Sequence, residues 1–133
     1  MVASIHYNVV LDVASRSLSC EQLCSLLPKS TQVVSGQWKG QRLANRVVQR
    51  NRIVISLGEG RVVHWKRATA RLRAICASVA AKTPKGKRVD LNLRIGLMSS
   101  HYVTSMLVDP AMSVMCARLD VAIEITVYPT TES

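Results

Sequence analysis

An α+β fold, a mostly antiparallel sheet with helices packed on one face, is what this chain of 133 residues predicts. Three observations lead there. Several segments alternate apolar and polar residues with the period of a half-buried strand, others repeat apolar residues at helical spacing, and the two kinds interleave along the chain. One domain is expected over residues 1–133, a length that buries a sizeable core without staples. That core must come from Val, Leu, Ile, Met and Ala, because Phe is absent and only two Trp and three Tyr occur.

Ile5 to Val13 reads as the first strand, with Ile5, Tyr7, Val9, Leu11 and Val13 on one face and His6, Asn8 and Asp12 on the other. Ser19 with Gln22 forms a capping box, and Cys20, Leu23, Cys24 and Leu27 give the helix after it one apolar stripe that Pro28 stops. Val33 and Val34 suit a short strand. Gly36 and Gly40 then bracket Trp38 in a loop, where the indole either folds back onto the core, the more ordinary outcome, or meets a partner. Arg46 to Leu57 reads as one strand in which Arg46, Arg50 and Arg52 share a face opposite Val47, Ile53, Ile55 and Leu57. Gly58-Glu59-Gly60 closes it. Val62 and Val63 suit either a hairpin partner or the start of the next helix.

Trp65 to Lys82 has a helical period, with Trp65, Ala68, Leu72, Ile75, Cys76 and Val79 as its apolar stripe. Lys66 and Arg73 flank that stripe on one side, and Arg67, Arg71 and Lys82 on the other. Opposite the core lie Ala70, Ala74, Ala77 and Ala81, either helix-forming filler or a face that admits a partner backbone. After the basic turn Thr83–Arg88, Val89 to Leu97 alternates as a strand, and His101 to Val108 suits another. Asp109 and Pro110 open a helix whose buried stripe is Met112, Met115, Cys116 and Leu119. Val121, Ile123, Ile125 and Val127 alternate as the last strand. Capped helices between strands near both ends hint at two similar halves.

Charge is distributed very unevenly. Lys39 to Arg88 holds fourteen Lys/Arg against one acid, Glu59, whereas the two flanks hold four bases and seven acids. With a formal charge of +10, a field of this kind selects anionic partners: acidic proteins, nucleic acid or phosphate-bearing surfaces. The candidate binding residues are Arg46, Arg50, Arg52, Lys66, Arg67, Arg71, Arg73, Lys85, Lys87, Arg88 and Trp38, converging on one surface. Arg outnumbers Lys in the stretch and suits bidentate carboxylate or phosphate.

Signals for chemistry are absent. All four Cys fall in phase with apolar stripes, as small core residues do, so neither a metal site nor a cofactor is expected. His6, His64 and His101 are scattered, the acids are spread out, and the Gly58-Glu59-Gly60 turn lacks the Lys-Ser/Thr of a phosphate loop. No apolar run approaches the ~18 residues of a spanning helix. The first residues lack a signal-peptide pattern, so a cytoplasmic protein with reduced thiols and no membrane partner is expected.

The run VDPAMSVMCARLDVAIEITVYP, within Val89 to Pro129, resembles the ending of a widespread bacterial family, domain of unknown function four-two-seven-nine. SLSCEQLCSLLP resembles that family's first helix. The resemblance covers about half the chain and implies an α+β domain without established enzymatic activity, some relatives of which look like immunity proteins beside bacterial toxins. Asp120 departs from it, standing where a helix-ending Gly is usual, as does the basic middle. A non-enzymatic interaction protein is therefore expected, inhibitor-like or immunity-like and of bacterial or phage origin, binding an acidic or nucleic-acid-handling partner. The alternative is a direct RNA- or DNA-binding protein, against which the scarcity of stacking aromatics counts.

Overall fold

The computed structural model describes residues 5–99 and 108–129. Strand β1 (Ile5–Ser15) leads through α1 (Cys20–Ser25) to β2 (Val33–Gln37), a small hairpin of β3 (Arg42–Leu43) and β4 (Arg46–Val47), and β5 (Asn51–Gly60). The long helix α2 (Trp65–Lys82), β6 (Asp90–Ser99), α3 (Pro110–Arg118) and β7 (Ala122–Pro129) complete it. The five-stranded sheet has the order β2-β5-β1-β6-β7, antiparallel except where β7 runs parallel to β6. This is the α+β architecture read from the sequence.

Alternation decides which face is covered. Val9, Leu11 and Val13 of β1 align with Ile53 and Ile55 of β5 and with Leu93 and Ile95 of β6, and all are buried. Leu23 of α1, Ala68, Leu72, Ile75, Cys76 and Val79 of α2, and Met112, Met115 and Cys116 of α3 close on them from the same side in one cluster. Burying each of the larger aliphatic side chains is worth roughly 1.5–3 kcal/mol. Two bonds tie α2 to the end of α1: Ser78 Oγ donates to the Leu26 carbonyl at 2.6 Å and Lys82 Nζ to that of Leu27 at 3.4 Å. The opposite face of the sheet carries no helix among the described residues.

The expected helix caps are partly realised. Ser19 and Gln22 form the reciprocal capping box, at 3.1 and 2.8 Å. Pro110 stands in the first turn of α3, but the Asp109 side chain makes no cap hydrogen bond. At the far end of α3, Asp120 adopts φ +56°, and the Val121 N–H donates to the Cys116 carbonyl at 2.8 Å. That is the geometry of a Schellman termination, with a non-glycine residue at its left-handed position.

Several expectations need correction. Arg46 to Leu57 is not one strand: Arg46 and Val47 fold back on Leu43 and Arg42, and β5 starts afresh at Asn51. A left-handed turn at Ala44 (φ +50°) allows this hairpin, which the Gly40 and Gln41 bonds to Val48 extend. Cys24 and Leu119 are exposed: the buried side of α1 is set by Leu23 with Leu26 and Leu27 after it, which leaves Cys24 outward, and Leu119 lies just past the last residue of α3. Cys20 is half-buried, whereas Cys76 and Cys116 are core residues as read. Val63 packs partly buried against the core beyond the end of β5, neither strand nor helix. The strand expected over His101–Val108 lies outside the described residues except for Val108, which packs against the core. Each end does hold a strand–helix–strand unit with parallel strands. However, β5 separates β1 from β2, whereas β6 and β7 are neighbours.

Candidate binding surface

Asp12 is the unusual residue on the open face of the sheet. It stands opposite Asn92 of β6 and Val54 of β5, and its carboxylate is almost wholly buried although no helix covers this side. Strand register explains the burial. Arg94 lies two positions along β6 and Arg52 two along β5, so both guanidinium groups reach diagonally over Asp12. Arg94 Nε and Nη2 donate to the two carboxylate oxygens at 2.6 and 3.0 Å, a bidentate pair, and Arg52 Nη1 lies 3.9 Å away. The hydrogen bond to Asp12 holds Arg94 still more firmly protonated, against the opposing effect of partial burial.

Other charges extend this network. Arg50 Nη1 and Arg88 Nε donate to the two oxygens of Asp90 at 3.1 and 2.9 Å, and Asn92 Nδ2 donates to Glu124 at 3.4 Å. A shallow cavity of about 270 Å³ opens among these side chains. Four arginines here face three acids, so the open face is close to neutral and its cations are committed to neighbours.

The candidate residues therefore do not converge on one surface. Arg50, Arg52 and Arg88 belong to the neutralised cluster. Arg46 sits apart on the β3–β4 hairpin, because the break after Val47 ends the parity that would have aligned it with Arg50 and Arg52. Lys66, Arg67, Arg71 and Arg73 lie across the molecule, exposed on α2, with no ion pair among the described residues. Ala70, Ala74, Ala77 and Ala81 are exposed beside them. Lys85 and Lys87 are exposed in the turn between α2 and β6. Trp38 is 58% exposed and stands out from the chain instead of folding onto the core, whereas Trp65 packs partly buried against it. Sequence reading missed Asp12 and Arg94, whose only signal was a charged residue on the polar face of each of two central strands.

The side chains that could carry reactive chemistry stand apart from one another among the described residues. Among the described residues no three His, Cys, Asp or Glu side chains come together around a metal-sized site. His6 lies 4.0 Å from Glu59 on the surface, His64 precedes α2, and His101 is outside the described residues. Burial pushes the Cys76 thiol up to about 11, with Cys116 nearby adding to the shift, and burial raises Cys116 as well. Neither is a ready nucleophile. No helix among the described residues is long and apolar enough to cross a membrane.

No family model, curated protein or solved structure matches this chain.

Proposed function

We propose that this chain is a non-enzymatic interaction protein, inhibitor-like or immunity-like, that occupies an acidic protein partner through the exposed face of α2. One observation carries the reading: Lys66, Arg67, Arg71 and Arg73 project from one rigid helix with no acid paired to them among the described residues, while the cations of the open sheet face are neutralised at home. Cations left unpaired on a helix attract an anionic surface over a Debye length of about 8 Å at physiological salt. Arginine adds bidentate recognition of carboxylates. Direct binding of nucleic acid is less well supported, because the strongly exposed Trp and Tyr rings among the described residues are Trp38 and Tyr128, on separate elements, and single-strand binders stack bases on several rings along one groove.

Fluorescence anisotropy with labelled poly-glutamate, mixed-sequence RNA and duplex DNA tests this at low and physiological salt. The wild-type chain is expected to hold poly-glutamate, and to hold it more weakly when Lys66, Arg67 and Arg73 are changed together to Ser. Nucleic-acid binding is expected to fall away at physiological salt. RNA or DNA binding that persists there, weakened by Arg46→Ser, Arg50→Ser and Arg52→Ser together, would replace the proposal with a nucleic-acid role.

A further inference from the structure

A cleft of about 550 Å³ lies where β2 parts from β5 beside α2. Pairing of β2 with β5 begins at Val33 opposite Ile55, and the chain before it, with Thr31, swings off to form the far wall. β5 continues for five more residues, Ser56 to Gly60, with only β1 beside it. Its outer edge is therefore unpaired over that length, among the described residues, and presents backbone donors and acceptors. Gly58 and Gly60 are clear of other atoms where a Cβ would stand, so another backbone can come close. Ile55, Leu57 and Ile75 supply an apolar lining, and Arg71 of α2 stands at the cleft with no acid paired to it among the described residues. The volume lies within the ~300–1,000 Å³ range of ligand sites.

We infer that this cleft receives an extended acidic segment of the partner, which adds as a strand to the free edge of β5 and sets a carboxylate on Arg71. The inference rests on the acidic-partner reading and names how that partner is held. A peptide backbone matches an open sheet edge, which nucleic acid cannot do, since it lacks alternating N–H and C=O groups. Side chains at alternate positions of the added strand enter the cleft, apolar ones against the lining and an acidic one on Arg71, while those between face the opposite side of the sheet. Charge sets the direction of docking. Arg67, one turn before Arg71, extends the positive wall, whereas Glu59 near the end of β5 repels acids there.

The test is anisotropy at physiological salt with a labelled octapeptide that carries valine and glutamate in turn at every other position, with serine between, and with poly-glutamate in parallel. Arg71→Glu is compared with Arg118→Glu, the same charge change on α3, away from the cleft. Both positions are exposed, so both variants fold. Arg71→Glu is expected to weaken the octapeptide by about tenfold or more and Arg118→Glu by less than about threefold. Methylating alternate backbone nitrogens of the peptide is expected to abolish binding. Equal losses in the two variants, or an N-methylated peptide that binds as well as the parent, would overturn strand addition in the cleft and leave the broader reading intact. Failure of both peptide and poly-glutamate to bind even at low salt would overturn the two together.

Discussion

Replacing Asp12 by Ala leaves Arg94 and Arg52 reaching across the sheet to a carboxylate that is no longer there. Removing one member of a buried pair costs about 3–5 kcal/mol when the survivor stays buried. Here the Asp12 side chain is only 6% exposed, but Arg94 and Arg52 retain 32% and 28% of their side-chain exposure. Both can turn partly to water, so the cost falls to about 2 kcal/mol. At this chain length that lowers the melting temperature by roughly 8 °C. Urea unfolding followed by far-ultraviolet circular dichroism measures it, with Glu124→Gln as the control for an exposed charge. The control should cost less than about 0.5 kcal/mol. Asp12→Asn keeps an acceptor for Arg94 and should fall between control and Ala. A wild-type midpoint for Asp12→Ala would refute the claim that the diagonal pairs stabilise the open face.

Asp120→Gly should stabilise the fold by up to about 1 kcal/mol, because φ +56° strains any residue with a Cβ; thermal melts check it, and a lowered melting temperature would mean that the Asp120 side chain contributes more than the strain costs. The Cys76 thiol also makes stability depend on pH. Its pKa rises from 9.0 to about 11 in the folded chain, so the unfolded chain ionises first, and a contribution fully present below pH 9 is lost as pH rises towards 11. Cys76→Ala should flatten that decline in denaturant titrations at pH 8, 9.5 and 11. With a disulfide reagent at pH 8, Cys24 should react in the native state, and Cys76 and Cys116 only after unfolding.

Local reasoning worked wherever a segment's period was set by a single buried face. Trp65–Lys82 was legible to the residue, because eighteen positions sample the helical stripe five times over. β1 and β6 were legible because their core faces alternate without interruption. Short elements were less legible: α1 has six residues, and phase placed Leu27 correctly in the core but Cys24 wrongly. The arginine strand failed because parity carries only as far as the backbone stays extended, and the break between Val47 and Asn51 interrupts it. Of the candidate surface, the α2 cations were found as a group by helical spacing. Asp12 and Arg94 were not, since they are 82 residues apart.

Sequence by itself determined the fold class, the faces of the central strands, the span of the long helix, the capping box at Ser19 and the concentration of cations between Lys39 and Arg88. Each depends on neighbours within about two turns or a few strand residues, and the chain carries that information locally. Only tertiary structure decided which cations remain unpaired. Register across β5, β1 and β6 brought Arg52 and Arg94 onto Asp12, while packing of α2 on the other side of the sheet held its cations away from any acid among the described residues. Topology likewise opened the cleft, because β2 is shorter than the strand it pairs with. Coulomb energy depends on distance in space, and distance in space between remote residues is set by strand pairing.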